Sequence, residues 1–165
     1  MCHRQSEREE RRKRGASIDP PGYDAGKKIK GKKRHVLVDT LGLMLHAIVH
    51  PANIQDRDGG GLVLSTLFGR FPFLTKLFAD GAYQGPVFAR AAAHATPGLS
   101  VEIVKRSDTA RGFEVLPKRW VVERSFGWMT RWRRLVRDYE ARLDVSEAMI
   151  LVAMGGNLLR RTTHP

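Results

Sequence analysis

The sequence predicts a single α/β domain built around a mixed sheet. Its apolar segments follow one another as hairpin, helix, strand, helix, strand, helix and helix. A hairpin gives antiparallel strands and strands separated by helices usually pair in parallel, so we expect both arrangements. The length of 165 residues suits one domain with a buried core. Residues 1–15 are charged and lack an apolar period, so we expect them to be disordered or partly helical and the domain to span residues 16–165.

The first half of the chain predicts a hairpin followed by a helix. Residues 35–39 and 43–49 are apolar and partly β-branched, and a turn containing Gly42 separates them. The loop that follows contains Asp56 and Asp58, one of which is expected to cap the next helix.

The second half predicts two strands and three helices. The strands are residues 73–79 and 101–105, and the helices are residues 85–94, 117–137 and 143–161.

The net charge of +12 is concentrated in two blocks. Residues 1–34 hold 12 Lys and Arg against 5 Asp and Glu, a net +7, and residues 105–142 hold 11 against 5, a net +6. Residues 35–104 are close to neutral, with 4 Lys and Arg against 5 Asp and Glu. Two basic blocks around a neutral middle indicate a partner that is a polyanion, with nucleic acid favoured over membrane.

Several classes of protein are excluded by composition. The single cysteine, Cys2, excludes an internal disulfide and a cysteine-based zinc site and indicates an intracellular protein. No Walker-type loop or nucleophile elbow occurs, and His46 and His50 are expected to be non-catalytic. The N-terminus is too charged for a signal peptide, and the longest apolar run, residues 148–159, is too short to span a bilayer. We therefore expect an intracellular protein.

Residues 117–137 predict one long amphipathic helix, which Pro117 can begin. Six side chains at helical spacing form its apolar face: Val121, Trp128, Trp132, Leu135, Val136 and Tyr139. Glu123 is the one acid on the opposite face, among arginines. That face is either a solvated surface with i,i+4 pairs, which the spacing alone favours, or a metal-binding carboxylate beside arginines that hold phosphates.

Asp80 follows a buried strand and precedes a glycine. The carboxyl ends of such strands face the crevice in which α/β sheets place ligands, although a turn Asp that binds its own backbone gives the same pattern. Asp80, Glu123 and one upstream Asp would form an all-oxygen site of the kind that Mg²⁺ or Mn²⁺ prefers. Two such ions can activate water or a 3′-hydroxyl and stabilise the leaving oxygen of a phosphodiester, which indicates metal-dependent phosphoryl transfer on DNA.

Four stretches, residues 22–43, 50–59, 77–85 and 116–128, resemble in order the motifs of bacterial insertion-sequence transposases. The most similar group is the IS5 family within the IS4-like DDE superfamily, and the resemblance covers about residues 16–161. It implies a ribonuclease H-like core that performs cut-and-paste strand transfer of an insertion sequence with two divalent ions. It also implies that the partner is DNA, as transposon ends and target, and that the protein is cytoplasmic and associated with the nucleoid.

The resemblance implies specific catalytic and metal-binding residues. Asp80 matches the family's second catalytic Asp, and Glu123 matches the catalytic Glu, with Arg119 in the associated Arg-x-x-x-Glu pattern. Asp19 is the candidate for the first Asp and Asp39 is the alternative. The prolines that follow Asp19 depart from the family's pattern, and loss of one carboxylate would impair metal binding.

Ten basic side chains are expected to contact DNA: Lys27, Lys28, Lys30, Lys32, Lys33, Arg34, Arg119, Arg124, Arg131 and Arg134. The basic segment 22–35 is expected to be a flexible loop, which either follows a phosphate backbone or only aids solubility. The upstream helical region of full-length relatives has no counterpart here, so we expect a second-frame product or a truncated copy. A homodimer and a partner translated from an upstream reading frame are compatible with this. The alternative function is an inactive transposase remnant that binds DNA without cutting it.

Overall fold

The computed structural model describes residue 19, residues 21–105 and residues 118–163. Its elements in chain order are β1 (Gly22–Asp24), β2 (Ile29–Val38), β3 (Met44–Pro51), α1 (Asp56–Ser65), β4 (Lys76–Asp80), a 3₁₀ turn (Gly81–Tyr83), α2 (Pro86–Ala95), β5 (Ser100–Val104), α3 (Arg119–Met129), α4 (Arg133–Val136) and α5 (Leu143–Thr163). The structure is a mixed α/β arrangement with antiparallel and parallel strands and flanking helices, as the sequence predicts.

Strands β2 and β3 form the predicted hairpin. They pair antiparallel, with His35 opposite Ile48. Asp39 closes the turn, because its Oδ1 accepts the N–H groups of Leu41 and Leu43, each at 2.8 Å. The carboxylate of Asp39 therefore serves the hairpin turn.

The prediction of a flexible loop over residues 22–35 is wrong. Strand β1 pairs antiparallel with the start of β2, with Gly22 opposite Gly31. The turn between the two strands is closed by Asp24, whose Oδ1 accepts the N–H groups of Gly26 at 2.9 Å and Lys27 at 3.0 Å. The glycines and lysines suggested a loop, but strand pairing and this Asp turn outweigh the low strand propensity of those residues.

Strands β4 and β5 pair in parallel, with Phe78 opposite Glu102. They form a separate sheet from the three-stranded sheet of β1, β2 and β3. The sequence predicts one mixed sheet, whereas the described residues form two. Within the described ranges, no strand lies between β2 and β4 to join them.

Two apolar cores lie on opposite faces of the hairpin. Val36 packs against a core that contains residues of β3, α3, α4 and α5, such as Met129 and Ile150. The next residue, Leu37, packs against a core that contains residues of α1 and α2, such as Leu64, and side chains of the β4–β5 sheet pack against the same core. Because successive side chains of a strand point to opposite faces, α1 covers one face of β2 and α3 the other.

The predicted helix over residues 117–137 is broken into α3 and α4. Trp132 has an extended backbone, with φ −92° and ψ 112°, and Thr130 directs its hydroxyl to the Gly127 carbonyl at 2.8 Å. The break changes the face that is buried. The helical spacing predicts Val136 and Tyr139 inside, but they are 60% and 63% exposed.

The remaining helix predictions are confirmed in position but not in detail. Helix α1 has Gln55 at its N-cap and no side-chain cap, so the predicted cap by Asp56 or Asp58 is wrong. Both carboxylates lie inside the first turn, where the helix dipole favours negative charge. In the described part of the chain, no helix combines the length and the apolar character that a membrane crossing requires.

Candidate active site

Asp80 and Glu123 lie on the same cavity, although they are far apart in the sequence. Asp80 is the last residue of β4, and Glu123 lies in the second turn of α3. The cavity has a volume of about 630 Å³. Its polar lining includes Asp24, Lys33, His35, Asp56, Asp80 and Glu123. Both carboxylates are exposed, so a ligand in the cavity could reach them.

Asp19 lies at a different place. Its Oδ2 accepts the N–H of Leu143 at 2.7 Å, and its own N–H donates to the carbonyl of Ala141 at 3.2 Å. The Asp19 carboxylate therefore caps the start of α5 and borders a second cavity of about 330 Å³, beside Asp138 and Glu140. The structure does not bring Asp19 to the cavity of Asp80 and Glu123, so its catalytic role stays a prediction.

Two carboxylates that sequence reasoning missed line the main cavity. Lys33 on β2 contacts Asp24 at 3.2 Å and Asp56 at 2.9 Å, and its ammonium also donates to the Ile54 carbonyl at 2.9 Å. Burial opposes the charge of Lys33, but the two carboxylates outweigh it and raise its pKa. The pKa of Asp24 is lowered, chiefly by the backbone N–H of Lys27. The sequence signal was the Asp24 turn, which becomes informative only when residues 22–35 are read as strands.

A buried aromatic cluster supports the wall of the cavity. His35 stacks on His50 with ring centroids 4.6 Å apart, and its Nδ1 lies 2.7 Å from the hydroxyl of Tyr83. Burial and then the neighbouring His50 lower the pKa of His35 to about 4. Burial and then the charges of Asp56 and Asp80 raise the pKa of Tyr83 to about 12. At neutral pH the Tyr83 hydroxyl keeps its proton and can donate it to neutral His35.

Helix α1 can approach this cluster because it carries glycines. A Cβ at Gly59 would lie 2.3 Å from Nε2 of His50, and one at Gly60 would lie 2.6 Å from the ring of Tyr83. A Cβ at Gly61 would meet only Ala91, at 3.6 Å. Gly59 and Gly60 therefore allow a close helix–strand contact, a role that the sequence alone did not reveal.

Five of the ten basic residues predicted to contact DNA are exposed: Lys27, Lys28, Lys30, Arg131 and Arg134. Three lie in or beside the β1–β2 turn, at one end of the hairpin. The side chain of Arg119 lies outside what the structure describes.

Five of the ten predicted DNA contacts, including the exposed Arg134, are engaged with the protein. Lys33 holds the two cavity carboxylates. Lys32 donates to the Glu140 carbonyl at 2.7 Å, and Arg134 pairs with the Glu140 carboxylate at 2.6 Å. Arg34 donates to the carbonyl of Leu135, in α4.

Arg124 is the fifth engaged residue. Its guanidinium carbon lies 4.4 Å from the ring centroid of Trp120 and 4.9 Å from that of Trp128. Its Nη2 donates to the Leu41 carbonyl at 2.6 Å. Arg124 thus ties α3 to the hairpin turn, and the prediction that it contacts DNA gains no support from this geometry.

The described residues do not complete the two-ion site that the family resemblance implies. Within these ranges, no three His, Cys, Asp or Glu side chains come together as a metal-binding group. Asp80 and Glu123 supply the oxygen donors that Mg²⁺ or Mn²⁺ prefers, but two ions need further carboxylates. Asp24 and Asp56 share the ammonium of Lys33, and Asp19 lies elsewhere.

Comparisons with known proteins cover most of the chain. The model of the family described as "Transposase DDE domain" matches residues 2–158. A protein of Burkholderia cepacia, described as "Putative transposase for insertion sequence element IS402", is 30% identical over 131 residues, 73% of this chain. The chain spans 59% of the length of that relative. No solved structure matches the chain. The resemblance to DDE insertion-sequence transposases is thereby confirmed, and the chain belongs to the DDE transposase domain family.

Proposed function

We propose that this chain is the catalytic part of an IS5-group insertion-sequence transposase with a ribonuclease H-like core at residues 16–165. Its substrates are the DNA ends of the element and a target DNA. In the cleavage step, a water oxygen bonds to phosphorus, and the 3′-oxygen leaves and gains a proton. In strand transfer, the new 3′-hydroxyl bonds to a target phosphorus, and a target 3′-oxygen leaves.

One observation carries this proposal. In a chain that belongs to a DDE transposase family, Asp80 and Glu123 come from a strand end and a helix to line one cavity. Both are acids of the kind that hold divalent cations at phosphodiesters. The neighbouring Lys118 and the exposed lysines of the β1–β2 turn offer positive charge for phosphates.

The cofactor in this proposal is Mg²⁺ or Mn²⁺, held in part by Asp80 and Glu123. When bound, such an ion would neutralise developing negative charge on the phosphate. At least one donor beyond these two carboxylates is needed, and the described residues do not provide it.

That shortage favours a second candidate function, the inactive remnant that binds DNA without cutting it. Both functions share the basic surface and the fold. They differ in whether the carboxylates of Asp80 and Glu123 matter, because DNA binding alone does not need them.

The experiment compares DNA nicking by the wild-type chain, Asp80→Asn and Glu123→Gln, with Mg²⁺ or Mn²⁺ and with EDTA. We expect each substitution to lower the nicking rate by roughly 100-fold or more, since each removes a carboxylate charge that would hold the divalent ion at the reacting phosphate. Glu102→Gln is the matched control, because Glu102 is an exposed carboxylate on β5 that pairs with Lys76 away from the cavity. It should nick at the wild-type rate.

Nicking that survives both substitutions would exclude Asp80 and Glu123 as catalytic residues. No nicking by the wild-type chain, together with DNA binding that all variants retain, would support the remnant instead. In that case binding should weaken steeply with salt, through the release of counterions.

A further inference from the structure

We propose that the end of the β1–β2 hairpin holds unpaired bases of a DNA strand, with the ring of Tyr23 stacked on a base and Lys30 at a phosphate. We call this end the arm and define it as residues 22–31, from β1 through its turn to the start of β2. It extends past β3, whose last residue, Pro51, lies opposite Lys32. That the strand is DNA rests on the proposed function, whereas the stacking does not depend on cleavage.

The arm is anchored where it leaves the rest of the sheet. Gly22 is buried so closely that a Cβ at this position would lie 2.4 Å from the backbone nitrogen of Ala52. Lys33 holds Asp24 at 3.2 Å, and the same Asp24 closes the turn of the arm. Because these contacts order the arm before a ligand arrives, binding to it costs less conformational entropy.

The arm carries cations that the protein itself does not use. Lys27, Lys28 and Lys30 are exposed, and among the residues that the structure describes no carboxylate pairs with their side chains. Lys32 and Lys33, which follow on β2, both donate to acceptors of the protein. The change from engaged to free ammonium groups occurs at the base of the arm. Free cations on an anchored hairpin indicate an anionic ligand, and the phosphates of DNA have the required charge.

The arm also exposes an apolar side chain on each of its faces. Tyr23 is 50% exposed and lies directly opposite Lys30, so these two side chains share one face. Ile29 is 56% exposed and lies opposite Asp24, on the other face. Phosphates alone need no aromatic ring. The pairing of a ring with a lysine therefore indicates a ligand that has an aromatic surface next to its negative charge.

An unpaired nucleotide combines these two properties. In a duplex the face of each base is covered by the neighbouring bases, and the ring of a tyrosine cannot reach it unless the base leaves the stack. In a single strand the faces are open, so aromatic side chains stack on the bases while basic side chains contact the backbone. Tyr23 and Lys30 thus fit an unpaired base and its adjoining phosphate better than they fit a duplex.

The position of the arm relates this site to the proposed reaction. Lys27 and Ile29 border the cavity that Asp80 and Glu123 also line. A strand held by the arm therefore passes beside the two acids. In the proposed reaction, the arm keeps one strand apart from its complement close to the phosphodiester that is cut.

The experiment measures binding of a fluorescent oligothymidine of about 12 nucleotides to the full chain, by anisotropy, and binding of its duplex with oligodeoxyadenosine. We expect Tyr23→Ala to lower the affinity for the single strand by about tenfold, because one base loses its stacking partner. Tyr23→Phe keeps the ring and should bind within about twofold of the wild-type chain. The affinity for the duplex should change by less than about twofold in both variants, because the bases of a duplex stay stacked.

The salt dependence separates the ring from the charge. Lys30→Ala should reduce the slope of log affinity against log salt for the single strand by about 0.7, the value for one phosphate that is no longer neutralised. Tyr23→Ala should leave this slope unchanged, because stacking releases no counterions. Phe73→Ala is the matched control, since Phe73 is 70% exposed and precedes β4, whose opposite end carries Asp80. It should change neither the affinity nor the slope.

The stack itself is detected with 2-aminopurine in place of one thymine, because the fluorescence of this base falls when a ring stacks on it. Fluorescence should fall on binding to the wild-type chain and to Tyr23→Phe. Tyr23→Leu keeps an apolar side chain without an aromatic face, so it should not quench. Circular dichroism checks that each variant is folded, and the leucine variant replaces the alanine variant if the latter is not.

Four results would overturn the proposal. No binding of oligothymidine by the wild-type chain would exclude a single-strand site. Equal affinity of the wild-type chain and Tyr23→Ala for the single strand would exclude the ring. An equal loss for single strand and duplex would place Tyr23 in a groove. A smaller sedimentation mass of Tyr23→Ala than of the wild-type chain would make the arm a contact between two copies.

Failure of this proposal can be told apart from failure of the proposed function. A wild-type chain that stacks a base on Tyr23 but does not nick DNA would support the arm together with the inactive remnant. Nicking by the wild-type chain, with single-strand binding that Tyr23→Ala leaves unchanged, would support the proposed function and exclude the arm.

Discussion

Arg124 lies between two indole rings and binds a backbone carbonyl, so we expect it to serve stability. Arg124→Ala should lower the free energy of unfolding by about 2 kcal/mol, because it removes two cation–π contacts and a charged hydrogen bond. Urea denaturation measures this decrease. The control is Arg131→Ala, whose exposed side chain should contribute less than about 0.5 kcal/mol. Equal stability of the two variants would contradict the structural role of Arg124.

His35 should make the protein less stable in mild acid. Its pKa is about 4 in the folded state, because of burial and then the neighbouring His50, against 6.5 when unfolded. Above pH 6.5 both states are neutral. As the pH falls from 6.5 toward 4, only the unfolded state binds the proton, so the free energy of unfolding falls by up to about 3 kcal/mol.

The measurement is urea denaturation at several pH values, for the wild-type chain and His35→Gln. The glutamine variant cannot titrate, so its stability should fall less between pH 6.5 and 4. Asp56 and Lys33 also act on His35, and both are unchanged in the variant. Identical pH dependence of the two proteins would show that His35 is not buried in its neutral form.

For single residues, the sequence predicts the acids that belong to motifs, but it does not predict contacts that depend on how strands and helices pack. Asp80 and Glu123 are identifiable as a strand-end acid and a helix acid, and they do share a cavity. The pairing of Lys33 with Asp24 and Asp56 was missed, because it requires β1 and α1 to lie beside β2. Such contacts arise from tertiary packing, and no regular spacing in the sequence marks them.

At the scale of single elements, helix α1 offers a matched pair of glycines. Gly59→Ala places a methyl group against the stacked histidines and should cost about 1–3 kcal/mol through overpacking. The methyl group of Gly61→Ala would meet only an ordinary van der Waals contact. This substitution should raise the free energy of unfolding by about 0.5–1 kcal/mol, because alanine favours a helix more than glycine does. The melting temperatures of the two variants should therefore shift in opposite directions from that of the wild-type chain. A shift in the same direction would contradict the close approach of α1 to the hairpin.

Elements with local signals were predicted well and elements decided by packing were not. The hairpin and strand β4 were found because apolar runs and turn residues mark them. The break between α3 and α4 was missed because the apolar spacing continues through Trp132. That break redirects the chain so that Leu135 is buried while Val136 is exposed, whereas one continuous helix would bury both.

For the molecule as a whole, we expect DNA binding to depend on the exposed lysines of the β1–β2 turn. Replacing Lys27, Lys28 and Lys30 together by Ala should reduce the slope of log affinity against log salt by up to about 3, roughly one for each phosphate that is no longer neutralised. Fluorescence anisotropy with duplex DNA measures the slope. Arg90→Ala, an exposed residue on α2, is the control and should leave the slope unchanged. An unchanged slope in the triple variant would show that DNA binds to another surface of the protein.

The whole fold was predictable as a class but not as a connected sheet. The order of segments indicated antiparallel and parallel strands, and both occur. In the described part of the chain, β2 and β4 belong to two separate sheets, because no strand lies between them in space. The order of segments in the sequence does not show this separation. The family comparisons identify the kind of protein, while the arrangement of the two sheets comes only from the structure.

The hydrogen bond from Val49 to Glu147 has a consequence for how this protein could aggregate. The outer side of β3 offers few donors to a neighbouring molecule, because Glu147 takes the amide of Val49 and Pro51 has none. Stacking of molecules through that border, as in fibrils, is thereby discouraged.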